Sequence, residues 1–306
     1  MEDIKFTQMV SVGCAIDVHQ QIIVATIQKG NDSIETREFT AYTSSLKNLR
    51  EWCLKEGVTH IAMESTGIYW KPVFNILETD FEIILVNARH VKNVPGHKTD
   101  KKDSRWLSKL LLSGLLKGSF IPPVEIRELR DLVRYRKKLV SEMASEKNRI
   151  IKILEDANMK LSSVLSNVDG SVGTKIISSI IEGKTDVEEL MKFYHGKIKS
   201  TREEFRLALE GRITSHHKFM LKIHSDNIAD KEKLIARLDY QIDEAVKQYQ
   251  VEITLLQTID GIAKNSAITI ISEIGVDMSK FPNEHHLSSW AGMSPGNNES
   301  AGKKKV

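Results

Sequence analysis

The sequence predicts an α/β N-terminal domain with a mixed sheet, a middle built on long helices, and a small α-helical C-terminal piece. Three observations carry this expectation. Short β-branched runs alternate with amphipathic stretches as far as Val86. Pro122 and Pro123 then break the chain, since neither suits a helix interior. Beyond them, apolar residues recur at threes, fours and sevens over two long stretches. The boundaries expected from these breaks are 1–121, 122–250 and 251–306.

The first domain reads as follows. Residues 10–18 are rich in apolar and β-branched side chains and predict a strand ending near Asp17. Residues 21–28 predict a second strand, after a break of only His19 and Gln20. The pair forms either a hairpin or one bent strand. Residues 35–40 predict a third. Leu46, Leu49, Trp52 and Cys53 share one face of a helix over 46–56. Residues 60–63 give a short buried strand ending at Glu64. Residues 69–77 predict a helix and 82–86 a further strand.

Two of these strands finish on a carboxylate. Buried strands rarely end so without a reason, although an Asp leaving a strand also starts turns, and Ser65 or Thr66 could cap a helix after Glu64. Farther on, Asp100 and Asp103 stand three residues apart among Lys98, Lys101, Lys102 and Arg105. At a helix start they share one face. Asp there suits the helix dipole, so capping within a solvated charge run is one reading. The other is a metal site. Asp17, Glu64, Asp100 and Asp103 together are a sensible donor set for two Mg²⁺ (or Mn²⁺) ions that clamp a phosphodiester.

The net charge of +3 hides an asymmetry. Residues 1–88 carry 7 Lys and Arg against 12 Asp and Glu, residues 89–160 carry 18 against 9, and residues 161–306 carry 19 against 20. The basic excess lies beside the Asp100–Asp103 stretch, which points to a polyanionic partner, most simply nucleic acid. Two cysteines, Cys14 and Cys53, give neither a disulfide framework nor a paired-cysteine metal motif. The N-terminus has no signal-peptide pattern and no apolar run spans a bilayer, so the expectation is a cytoplasmic, nucleoid-associated protein without a membrane partner.

In the middle, residues 125–157 predict one long helix with Leu132, Leu139, Met143, Ile150, Leu154 and Ala157 along its seam. Arg136 and Lys147 fall near that seam. Arg134, Arg136, Lys137 and Lys138, with Arg127 and Arg130, form a basic cluster that is either a charged surface or a phosphate-backbone contact. Residues 176–181 and 187–194 predict short helices. Ser215-His216-His217 lacks a metal partner at useful spacing and reads as ordinary histidines. Residues 225–250 predict a second long helix on Ile228, Ile235, Leu238, Ile242, Ala245 and Tyr249. The two long helices pack as an antiparallel hairpin within one chain, or pair between chains.

The C-terminal piece opens with a helix–Gly261–helix step over 255–274, with Gly275 as its stop. It is either a backbone-phosphate grip or a plain helical hairpin. Ser300-Ala301-Gly302-Lys303 then sets a hydroxyl on a cationic loop.

Several of these stretches resemble a known family. Gly13-Cys14-Ala15-Ile16-Asp17-Val18-His19, Met63-Glu64-Ser65-Thr66-Gly67-Ile68-Tyr69-Trp70 and Lys98-Thr99-Asp100-Lys101-Lys102-Asp103-Ser104 are similar to the three signatures of DEDD insertion-sequence transposases of the IS110 type. Asn87 to Lys92 fits the lead-in to the third. Leu287 to Pro295 and Ser300 to Lys303 resemble the family's second domain. The resemblance implies an RNase H-like, RuvC-like first domain with Asp17, Glu64, Asp100 and Asp103 as its metal-binding acids. It implies Ser300 as nucleophile beside Lys303, and a coiled-coil middle. It further implies element-end and target DNA as substrate, a guide RNA, and a homo-oligomer, dimer or tetramer. Asp260 and Ala263 stand where the family usually has Pro and Gly. Family members also continue past the Ser-x-Gly-Lys motif, so the expectation is a C-terminally truncated copy or fragment. The competing functions are a metal-dependent junction nuclease without a covalent intermediate and a non-catalytic DNA- or RNA-binding copy. A sugar-kinase-like ATPase is discounted, for no Gly-rich phosphate loop follows.

Overall fold

The computed structural model describes residues 9–30, 33–64, 67–86, 103–116, 118–293, 299–300 and 303–304; Asp103 and the last two pairs are described by backbone alone. Packing divides the chain into two compact units, residues 1–121 and 122–306.

The first unit is a five-stranded mixed sheet between helices. Strands β1 (Val12–Val18), β2 (Ile22–Lys29) and β3 (Ser33–Thr40) form an antiparallel meander. Of the two readings for the β1–β2 break, the structure takes the hairpin, with His19 N–H bonded to the Ile22 carbonyl. Helix α1 (Thr43–Lys55) follows, then β4 (His60–Glu64), α2 (Trp70–Leu77), β5 (Glu82–Val86) and α3 (Asp103–Leu112). The strand order is β3-β2-β1-β4-β5, with β4 parallel to both β1 and β5.

Period-two alternation sorts the sheet's side chains onto two faces. Cys14, Ile16, Val18, Ile61, Met63 and Leu85 pack with α1 and α2, where Leu46, Leu49, Trp52 and Cys53 are buried as the sequence predicts. The other face carries Ala15, Ala62 and Val86, packed against Leu107 and Leu111 of α3. Its central residues are small because the helix comes close. A Cβ on Gly13 would stand 2.8 Å from Leu111 Cδ2 and 2.9 Å from Leu112 Cδ1.

The second unit is organised around two long helices. Helix α4 (Val124–Asp156) runs for 33 residues and buries Ile126, Leu129, Val133, Leu139, Ile150 and Leu154. Short helices α5 (Leu161–Val164), α6 (Ser171–Ile181), α7 (Val187–Leu190) and α8 (Arg202–Leu209) follow. The sequence reading lacks α8, although Thr201 and Glu204 form a capping box at its start.

Helix α9 (Ser215–Ala245) begins ten residues earlier than expected. The reason is local: the Thr214 hydroxyl accepts from the His217 amide while the His217 ring accepts from the Thr214 amide. The helix tightens into a 3-10 turn at Val246–Tyr249, so the expected run to residue 250 is not one α-helix. Cross-links fix α4 and α9 as antiparallel. Arg136 pairs with Asp239, Glu142 with Lys231, Glu146 with His224 and Asp156 with His217. The hairpin is therefore intramolecular. One apolar core lies at each end of it. Ile150, Leu154, Ile176, Ile180, Phe205 and Leu221 form the first. Ile126, Leu129, Val133, Ile242, Ile253 and Ile268 form the second, with α10 (Gln250–Gln257) and α11 (Lys264–Ile274). Gly275 ends α11 at φ +71°, a backbone state that favours glycine. Helix α12 (Glu284–Trp290) is capped by Asn283. Strands β6 (Glu299–Ser300) and β7 (Lys303–Lys304) pair antiparallel. Among the described residues no helix is long and apolar enough to cross a membrane.

Candidate functional site

Backbone register builds the site. Strands β1 and β4 are parallel, with Ile16 beside Met63, so Asp17 and Glu64 are the next residues of neighbouring strands. Both have the parity of Ala15 and Ala62, which places them on the α3 face at one end of the sheet. Glu64 also stands level with Val86 of β5, on that same face. Asp17 is about one-fifth exposed, and its Oδ2 lies 3.1 Å from His19 Nε2.

Helix α3 brings the third carboxylate's backbone to the same end. Leu111 and Leu112 lie over Gly13, at the start of β1. The carbonyl of Leu112 accepts from the Met9 amide at 2.7 Å. Eight residues back along the helix, the Ser104 hydroxyl lies 2.8 Å from Thr26 Oγ1, and Thr26 is paired with Ala15. So α3 runs antiparallel to β1, and its first residue, Asp103, lies toward the Asp17 and Glu64 end. A second polar contact fastens the helix farther along: the Ser108 hydroxyl donates to Gln28 Oε1 at 2.8 Å. Thr26, Gln28, Ser104 and Ser108 are all buried. The sequence reading passes over them, although two polar residues inside the apolar run of β2 were a visible signal.

Asp100, Lys98, Lys101 and Lys102 lie outside the described residues, as does the side chain of Asp103. Among the described residues no group of three or more His, Cys, Asp or Glu side chains converges on one point. The donors that are described nevertheless suit a hard divalent cation. They are two carboxylates on adjacent strands, at one end and on one face, with Asp17 open to solvent. Arg105 is exposed on α3.

The basic cluster on α4 divides in two. Arg134 binds Glu273 of α11 through two hydrogen bonds of 2.8 and 2.7 Å. The guanidinium of Arg130 donates to the Ser272 and Glu273 carbonyls, closing the end of α11. The Arg134 hydrogen bond holds the Glu273 carboxyl below its usual range; burial opposes this, and the charges of Arg134, Arg130 and Lys137 add to it. Arg136 pairs with Asp239 across the hairpin. Lys137 and Lys138 are exposed, and neither has an ion pair among the described residues. Arg136, Lys137 and Lys264 line a cavity of ≈ 380 Å³ beside the start of α11. Ser300 and Lys303 are partners in the β6–β7 register, so the structure brings these two backbones together. In the Ser215-His216-His217 stretch, His217 caps α9 and contacts Asp156 at 2.9 Å.

Two carboxylates thus share one sheet end, and exposed cations lie along a long helix. Comparison with known families identifies the class of protein. The model DEDD_Tnp_IS110, described as a transposase, matches residues 14–159, and that of the transposase IS116/IS110/IS902 family matches residues 253–306. The chain belongs to the IS110 family of transposases, proteins of insertion sequences. A search of curated proteins finds no match.

Proposed function

We propose that this chain cuts and rejoins DNA strands through a metal-binding acidic tetrad and a serine nucleophile. The observation that carries the reading is the parallel β1–β4 register, which sets Asp17 and Glu64 side by side at the sheet end toward which α3 starts. The strand order β3-β2-β1-β4-β5, a meander followed by two parallel strands, supports the RNase H-like reading of this domain. In this reading Asp17, Glu64, Asp100 and Asp103 hold Mg²⁺ or Mn²⁺. When bound, such ions supply Lewis-acid stabilisation of the charge that builds on a phosphodiester.

The chain's own residues do the rest. Ser300 Oγ attacks the phosphorus. The Oγ–P bond forms as the P–O bond to one sugar breaks, and the proton lost by serine balances the one gained by the leaving hydroxyl. Attack by a different sugar hydroxyl reverses the step and rejoins strands. Lys303, Lys98, Lys101, Lys102 and Arg105 neutralise phosphates near the reacting one, while Lys137 and Lys138 contact the backbone farther along. The partners are element-end and target DNA and a guide RNA. The protein acts as a homo-oligomer in which acids and serine from different copies meet.

The test is covalent trapping. The protein is mixed with labelled element-end DNA, the flanking transcript and Mg²⁺, then denatured. A protein–DNA adduct that disappears in both Ser300→Ala and Asp17→Asn supports the reading. Cleavage without an adduct, indifferent to Ser300→Ala, overturns the serine step and leaves a metal-dependent nuclease.

A further inference from the structure

We propose that Thr26 and Ser104 are positioning residues that set the start of α3, and with it Asp103, against the Asp17 and Glu64 strand ends. The inference rests on the metal reading given above and names the parts of the fold on which that site depends.

Helix α3 is held along its length by different forces. Its buried apolar residues, Leu107, Leu110, Leu111 and Leu112, begin in its second turn, and Trp106 in the first is half-buried. The first turn carries Ser104 as its buried residue, 4% exposed. Apolar contacts are non-directional and let a helix slide or rotate by small amounts. A buried hydroxyl pair at 2.8 Å does not, because displacement takes the Ser104 hydroxyl from its partner away from water.

Thr26 is itself fixed from two sides. It lies in the middle of β2, fully buried, opposite Ala15, and its Oγ1 also meets Thr36 Oγ1 of β3 at 2.9 Å. The three hydroxyls form a chain from the sheet's third strand to the first turn of α3. Asp17 is two residues beyond Ala15 on the same face, a rise of about 6–7 Å. Asp103 is the residue immediately before Ser104. The clamp thus ties the first turn of α3, seventy-eight positions on in the chain, to the strand paired with β1, two residues short of the level of Asp17.

The second clamp, Ser108 to Gln28, supplies an internal control. It joins the same helix to the same strand with a bond of the same length, but opposite Gly13, at the far end from Asp17. A merely structural role predicts like effects from removing either clamp. A positioning role predicts different ones.

The experiment uses the full chain and its Thr26→Val, Ser104→Ala, Thr26→Ser and Ser108→Ala variants. Mn²⁺ binding is followed by electron paramagnetic resonance, and thermal unfolding is measured beside it. Thr26→Val and Ser104→Ala are expected to weaken Mn²⁺ binding about tenfold, the lower end of what loss of support around metal ligands costs. Thr26→Ser, which keeps the hydroxyl, restores binding. Ser108→Ala lowers the melting temperature by a similar amount but changes Mn²⁺ binding less than about twofold. Equal losses of metal affinity in Thr26→Val and Ser108→Ala overturn the proposal. So does unchanged affinity in Thr26→Val when the wild type binds. Failure of the wild-type chain to bind Mn²⁺ at all overturns the metal reading of Asp17 and Glu64, and the clamp's role with it.

Discussion

The carboxylate end of the sheet and the basic face of α4 are both charged, yet they are built on opposite terms. Asp17 and Glu64 are set by backbone pairing: once β1 and β4 run parallel with Ile16 beside Met63, the next residues must be neighbours. The cations of α4 are set by where acids from elsewhere in the unit arrive. Arg134 and Arg130 answer to Glu273, and Arg136 answers to Asp239. Charge placed by register is available for chemistry. Charge placed by tertiary pairing is first of all part of the fold.

The largest effect that could break this contrast is at Asp17. Asp17→Asn keeps size and register but removes a negative donor, so DNA cleavage in Mg²⁺ should fall at least ~10²-fold with the melting curve little changed. Glu64→Gln should behave alike. Retained cleavage in either variant would show that register alone does not make these acids functional.

Next in size is the close approach of α3. Gly13→Val puts methyl groups where the ends of Leu111 and Leu112 already lie within 3 Å of a Cβ position. Overpacking of this kind costs about 1–3 kcal/mol. Urea unfolding should show that loss, and Mn²⁺ binding should weaken with it as the helix is pushed off the sheet. A neutral Gly13→Val would mean that α3 sits more loosely than its hydroxyl clamps imply.

How much of this is legible in the sequence follows from the same contrast. Four of the strands, α1, α2 and α4 stand where apolar periodicity places them, because each buries a face that its own sequence defines; β3 is exposed along nearly its whole length and is held by its pairing with β2. Asp17 and Glu64 are visible as acids ending apolar runs. Their adjacency is not, because parallel pairing across residues 16 and 63 is a long-range fact. The partners of Arg134 and Arg136 lie 139 and 103 positions away, so no local pattern separates them from Lys137 and Lys138. Two signals are local and easily passed over. The Thr201–Glu204 capping box announces α8, and Thr214 with His217 moves the start of α9. Thr26 and Gln28 inside β2 mark where a polar helix face docks.

The cations sharpen the comparison at smaller magnitude. Replacing Lys137 and Lys138 with Ala should leave the melting temperature unchanged. For each phosphate that is no longer neutralised, the slope of log K against log salt for DNA binding should fall by about 1. Arg136→Ala should do the reverse. It costs about 1 kcal/mol of stability by removing its ion pair and its packed stem, with less effect on the salt slope. Equal salt slopes for all three variants would erase the division between structural and ligand-facing charge.

The smallest effect is pH-dependent and belongs to Glu273. Its folded-state carboxyl lies below the ordinary value because Arg134 hydrogen bonds to it, against the opposing influence of burial. A depressed carboxylate favours folding while it is ionised in both states, and that contribution is complete above the unfolded-state value of about 4.3. It disappears as pH falls through the lower folded-state value. The stability difference between wild type and Glu273→Gln should therefore be about 0.5–1 kcal/mol, constant from neutrality to about pH 5, and should shrink below that. Glu273→Gln leaves the two backbone carbonyls held by Arg130 intact, so the difference isolates the side-chain pair. A difference that persists undiminished to about pH 3 would assign the loss to packing at the end of α11. Arg134 would then be charge left over from the fold, free to join Lys137 and Lys138 on a phosphate backbone.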